Sequence, residues 1–181
     1  MKVFILAALT ADGFVAKNAN HPAQEWTGYQ DKRLFAWLTR WGKVIIVGHN
    51  TYKTFDRVLT GRRIIVYTSE PDKQTPSEGV EFTNEPPDKL LTRLQSEKVT
   101  GVAICGGLQV YNLFMQARLV HDFYLTIQPL FFGQGLPLFD TSVDMRLSLS
   151  EAQVSTADNT VILHYVDEAA IDLDVASRRK E

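Results

Sequence analysis

The sequence predicts an α/β fold: a single three-layer domain whose central sheet has eight mostly parallel strands, ends in an antiparallel hairpin and is flanked by four helices. Three observations carry this reading. Short apolar runs rich in Val, Ile, Phe and Tyr alternate with segments of helical period through the first two thirds of the chain, the order that builds parallel strands joined by crossover helices. The last two runs have no helix between them. The chain has 181 residues, 45% of them hydrophobic and 22% charged, the balance of one domain that buries roughly 70% of the surface its unfolded form exposes. That domain is expected over residues 1–166, with 167–181 a C-terminal tail that is either a marginal helix or without fixed structure.

The expected strands are Val3–Leu9, Val44–Val47, Arg63–Thr68, Val80–Thr83, Gly101–Cys105, Asp122–Gln128, Arg146–Ser155 and Thr160–Val166. Between them fall four helical segments, Tyr29–Trp41, Asn50–Leu59, Asp88–Glu97 and Leu108–Ala117. In the first, Leu34, Trp37, Leu38 and Trp41 recur at spacings of three and four and predict one apolar stripe. In the third, Pro86 and Pro87 precede the helix and Leu90, Leu91 and Leu94 form its inner face. Ala157-Asp158-Asn159 is turn chemistry, so the final two strands should form a hairpin. Two connections are long and rich in glycine, asparagine or proline, Ala11–Gln30 and Gln128–Ser142, and long ordered loops often carry function.

Composition narrows the partners. With 19 Lys+Arg against 21 Asp+Glu the formal net charge is −2, which gives no basic field for nucleic acid and no polybasic run for an anionic membrane. Small molecules are the expected partners, and in one domain of this size any two ligands must share it. No apolar run approaches the roughly 20 residues that span a bilayer, and Thr10, Asp12 and Gly13 interrupt the N-terminal run before a signal-peptide core is complete. The single cysteine, Cys105, fits a reducing compartment, so the location expected is cytoplasmic. His21, His49, His121 and His164 have no ligand spacing, and no metal site is expected. The oligomeric state is open between monomer and homodimer.

Candidate site residues cluster at strand-to-helix turns. Gly48 ends an apolar run and is followed by His49-Asn50-Thr51, and the same construction recurs at Gly106-Gly107 before Leu108. Helix N-termini present unpaired N–H groups, and glycine lets a phosphate approach the backbone, so two such turns can hold one diphosphate. Glycine at such a turn is also ordinary punctuation, and neither turn matches the Rossmann or Walker pattern. Thr68 and Ser69 either cap a turn or meet an adenosine phosphate. Asp31 lies where a carboxylate stabilises a helix start without any catalytic duty, Arg62 is either a solvated charge or an anion partner, and Cys105 reads as a core residue.

Taken together, these positions resemble the dihydrofolate reductase family, in order from Val3 to about Val166. Ile5-Leu6-Ala7-Ala8-Leu9 followed by Asp12-Gly13-Phe14-Val15-Ala16 resembles the family's opening, and Trp26, Asp31 and Phe35 resemble its tryptophan, acid and phenylalanine. Val44–Tyr52, Leu59–Ser69, Ile104–Tyr111 and Tyr124-Leu125-Thr126 are similar to later family segments. The resemblance implies NADPH-dependent hydride transfer to dihydrofolate, with NADH as an alternative reductant. It assigns Asp31, Trp26 and Thr126 to catalysis and Ala8, Phe35, Phe55, Leu59 and Arg62 to the substrate. The cofactor would take Ala7, Gly48, His49, Asn50, Thr51, Thr68, Ser69, Gly106, Gly107, Leu108, Gln109, Val110 and Tyr111.

In this reading Asp31 accepts bidentate hydrogen bonds from the pterin, Thr126 orients it, Arg62 pairs with the glutamate tail, and Trp26 and the Ala11–Gln30 loop close over the site. Departures are His49 and Gln109, where many members carry arginine, and a longer stretch between Asn18 and Trp26. Phe132–Phe139 and Leu9–Ala16 also resemble the related reductase domain of riboflavin synthesis, which acts on a ribosylamino-pyrimidine phosphate. A non-catalytic folate or dinucleotide-binding module is a third possibility.

Overall fold

A computed structural model describes residues 1–55 and 59–170. The strands are β1 (Lys2–Thr10), β2 (Phe14–Ala16), β3 (Lys43–Gly48), β4 (Arg63–Tyr67), β5 (Val80–Thr83), β6 (Gly101–Ile104), β7 (Asp122–Gln128), β8 (Leu136–Pro137), β9 (Leu147–Val154) and β10 (Val161–Asp167). The helices are α1 (Tyr29–Gly42), α2 (His49–Lys53), α3 (Pro87–Ser96) and α4 (Leu108–Gln116). Eight strands form one sheet in the order β5-β4-β3-β6-β1-β7-β10-β9. Pairing is parallel from β5 to β7, and β10 runs antiparallel to both of its neighbours. The predicted α/β class, the strand count and the terminal hairpin are therefore what the chain forms.

The central strands read as continuous apolar runs because both of their faces are covered. Ile5, Ile45, Ile46, Ile65 and Ile104 are fully buried, as are Phe4 and Phe114, and each such side chain contributes roughly 1.5–3 kcal/mol relative to exposure. In α3, Leu90, Leu91 and Leu94 face inward as their spacing predicts.

Three expectations are corrected. The second helix was expected over Asn50–Leu59 but ends at Lys53, with Thr54 and Phe55 donating back to Thr51 and Tyr52 in turn geometry; residues 56–58 of that expectation lie outside the described residues. The stripe on α1 holds at Leu38, which is buried, at Leu34, which packs beside it, and at Trp41, which lies against Phe4, but not at Trp37, which is 64% exposed while Thr39 and Gly42 are buried. The end of the helix comes close to β6, where a Cβ on Gly42 would stand 3.0 Å from the Gly101 carbonyl oxygen and a Cβ on Gly101 would meet the Trp41 ring at 2.5 Å. Gly42 therefore faces β6 there, and the Trp41 ring covers Gly101.

The third correction is a second sheet that sequence patterning misses, formed by β2 and β8 where the two long loops meet. Asp12 reinforces that junction, accepting from the Thr10 hydroxyl at 2.5 Å, the Gly133 amide at 2.7 Å and the Phe132 amide at 3.2 Å. These donors hold its carboxyl below the usual carboxylate range despite some desolvation.

Candidate functional site

A cleft of about 1720 Å³ opens at the C-terminal ends of the parallel strands, where open α/β sheets take ligands. Most of the sequence-predicted residues line it: Ala7, Ala8, Asp31, Phe35, Phe55, Leu59 and Arg62, with Gly48, His49, Asn50, Thr51, Thr68, Ser69 and Gly106 through Tyr111. Thr126 and Trp26 do not.

Thr126 lies directly behind the cleft floor. It is fully buried on β7, opposite Ala8 on β1 and Ile162 on β10, and its hydroxyl donates to Asp31 Oδ1 at 2.6 Å. Asp31 sits in the first turn of α1. Burial pushes its carboxyl above the ordinary aspartate value, while hydrogen bonds from Thr126 and Thr27 and the charge of Lys32 pull the other way. Thr27, itself buried, is a partner that the sequence reading missed.

Trp26 is turned away from the cleft. Its ring lies 5.2 Å from Phe132 edge to face and 6.4 Å from His21 in a stacked arrangement, so it belongs to the junction between the long loops. Its neighbour Gln24 lines the cleft instead, as does Lys32. Gln24 crosses the opening to donate to the Thr54 carbonyl at 2.9 Å, and Lys32 donates to the Gln24 carbonyl at 3.1 Å.

Arg62 is set by a turn. Gly61 adopts φ +73, which favours glycine, and the Arg62 amide donates to the Leu59 carbonyl. The guanidinium then donates through Nη1 to Thr39 Oγ1 at 3.1 Å, and Thr39 in turn donates to the Phe35 carbonyl at 2.6 Å. Phe35, Phe55 and Leu59 pack together as an apolar wall between Asp31 and Arg62.

At the other end the two glycine turns press against each other. A Cβ on Gly107 would stand 3.1 Å from Thr51 Oγ1, and one on Gly48 would stand 3.3 Å from Val110. The Gly48 amide donates to the Gly106 carbonyl at 2.7 Å. No side chain caps the start of α4, whose first residues line the cleft, so its first amides have no side-chain partner there. Tyr111 is buried and spends its hydroxyl on the Leu6 carbonyl at 3.0 Å, which makes it wall rather than donor. Cys105 sits between the two ends; burial and the Asp31 charge push its thiol far up, so it stays protonated.

These features define an α/β protein with a cleft lined both by the largely buried acid Asp31 and by two glycine turns. Residues 2–134 match the sequence profile described as dihydrofolate reductase. The chain belongs to the dihydrofolate reductase family. It is 29% identical to Uncharacterized protein YwjB of Bacillus subtilis (strain 168), an alignment covering 91% of this chain and 97% of that one. A candidate riboflavin biosynthesis protein from Shewanella sp. PV-4 shares the fold with a TM-score of 0.77 at 16% identity, over 93% of this chain and 99% of that one. Dihydrofolate reductase from Enterococcus faecalis, complexed with NADP(H), superposes with a TM-score of 0.69 at 19% identity, over 92% and 96% of the two chains. Among the described residues no helix is long and apolar enough to cross a membrane, and no group of acidic, histidine or cysteine side chains could hold a metal ion.

Proposed function

We propose that this protein is a cytoplasmic dihydrofolate reductase, transferring hydride from NADPH to C6 of 7,8-dihydrofolate. The observation that carries this reading is the buried Asp31–Thr126 pair at one end of a cleft whose wall also presents Arg62. Asp31 accepts from the ring N–H and amino group of the pterin, a bidentate charge-assisted contact that fixes a planar ring, while Thr126 holds its other lone pairs. Phe35, Phe55, Leu59 and Ala8 form the apolar walls. Arg62 receives the tail carboxylate in fork-to-fork geometry.

The residues present fit a nicotinamide dinucleotide. The diphosphate would lie against the Gly48–Thr51 and Gly106–Tyr111 turns, the adenosine against Thr68 and Ser69, and Ala7 beneath the nicotinamide. The bound cofactor supplies the hydride. The C6–N5 double bond of the substrate becomes single, C6 taking the hydride and N5 a proton. The Asp31 charge favours the N5-protonated pterin, and the chain otherwise contributes orientation and exclusion of water by the loop that Gln24 draws across the opening.

A second reading, reduction of the riboflavin-pathway ribosylamino-pyrimidine, is favoured by the Phe132–Phe139 stretch and by the fold shared with the Shewanella protein. Loss of reduced-nicotinamide absorbance separates the two. Turnover is expected with dihydrofolate and NADPH; turnover with the pyrimidine phosphate alone would establish the second reading, and no dihydrofolate turnover with either NADPH or NADH would remove the first.

A further inference from the structure

The start of α1 is held from outside the helix. Its N-cap is Gly28, which has no side chain to bond the orphan amides of the first turn. That place is taken by Asp158, in the turn between β9 and β10, whose Oδ2 accepts from the Gln30 amide at 2.8 Å. Gln30 is the second helical residue, the amide that an N-cap side chain ordinarily bonds. A Cβ on Gly28 would lie 2.5 Å from that same Asp158 oxygen, so the missing side chain vacates the space that the distant carboxylate fills.

The surroundings make the cap rigid. The Gly28 amide donates to Gln128 Oε1 at 2.8 Å, and the Thr160 hydroxyl donates to the same Gln128 oxygen at 3.4 Å. Asp158 Oδ1 accepts from the Thr160 amide at 3.2 Å. Thr160 leads into β10, which pairs with β7, the strand that carries both Gln128 and Thr126. One hydrogen-bonded unit therefore grips the helix start and supplies the hydroxyl that Asp31, the next residue after Gln30, receives.

We infer that Asp158 is a positioning residue for Asp31, capping α1 from across the chain and thereby fixing the acid against Thr126; the inference rests on the reading of Asp31 as the pterin-binding acid. Asp158 has the electrostatic character of a cap. The Gln30 amide, the Ser155 hydroxyl and the Thr160 donors hold its carboxyl down at about 2, so it is ionised wherever the protein is folded near neutrality. Its charge also acts on Asp31, raising that group's proton affinity against the opposing Lys32. The other groups facing Asp31 are Thr27 before α1, Thr126 on β7, the protonated Cys105 after β6 and Tyr111 on α4.

The test is single-turnover hydride transfer to dihydrofolate, measured against pH. Asp158→Ala is expected to slow the step about tenfold, the scale of a lost helix cap, and Asp158→Asn, which keeps an acceptor oxygen, to recover most of that loss. The pH midpoint of Asp158→Asn should move down, because the Asp31 carboxylate loses a like-charge neighbour. Gly28→Ala, which pushes the carboxylate off the helix, should match Asp158→Ala, and the double variant should be no slower than either. Wild-type rates and midpoints in both Asp158 variants, or losses that multiply in the double variant, would overturn the inference. Asp31→Asn is the control: if Asp158 variants are silent while Asp31→Asn is crippled, only the positioning role fails, whereas a normal Asp31→Asn removes the reading beneath it.

Discussion

The two ends of the cleft are built on opposite plans. The glycine-lined end is assembled from two strand-to-helix turns, each a short run of consecutive residues, that press against each other through glycines and backbone. The acid end is assembled from residues about a hundred positions apart: Thr126 on Asp31, Gln128 on Gly28 and Asp158 on Gln30. Backbone amides at a helix start tolerate many side chains, whereas a buried carboxylate needs named partners at fixed distances. Single substitutions should therefore act strongly at one end and weakly at the other.

The largest expected effect is on Asp31. Asp31→Asn should retain the fold and lower hydride transfer to dihydrofolate at pH 7 by about a hundredfold or more, read as loss of reduced-nicotinamide absorbance. Next comes Arg62→Leu, which removes a charge-assisted pair of roughly 1.5–3 kcal/mol. It should raise the Kd for dihydrofolate by about tenfold to a hundredfold and leave that of a tail-less pterin nearly unchanged, as isothermal titration would record.

A third comparison uses stability. Folding raises the Asp31 carboxyl above its unfolded value, so the native state is favoured below the ordinary carboxylate range and loses that advantage as pH rises through the folded value. Asp31→Asn should consequently raise the thermal midpoint at pH 7 and leave it unchanged at pH 3. The smallest effect is expected at Trp37, where 64% exposure places Trp37→Gln within about 0.5 kcal/mol of the parent in urea unfolding; a larger loss would mean that this face of α1 is covered.

How much of this was legible in the sequence follows the same division. Apolar runs punctuated by glycine report the parallel strands and the turns after β3 and β6, because those signals are local. The pair Asp31 and Thr126 emerged only through a family resemblance, since nothing in either residue's neighbourhood announces the other. Gln128 and Asp158 were invisible as site residues: one ends a strand and the other sits in an ordinary turn, and their roles arise only when β7 and β10 pair. Spacing fixes the place of Trp26 along the chain but not the direction of its ring, which packs against Phe132 rather than lining the cleft. The α1 stripe was legible at Leu34 and Leu38 but not at Trp37, because Thr39 and Gly42, which an apolar pattern does not count, take the inward face instead.

The position of the β9–β10 turn has a consequence for how the molecule comes into being. β1 ends at Thr10 and can gain its neighbours only once β6 (Gly101–Ile104) and then β7 (Asp122–Gln128) have been made, and the turn that holds α1 emerges later still. A nascent chain halted before residue 158 would possess the strands and glycine turns of one end of the cleft while its acid still lacked a fixed seat. Competence for chemistry would then arrive with nearly the last strand, long after the parallel strands had emerged.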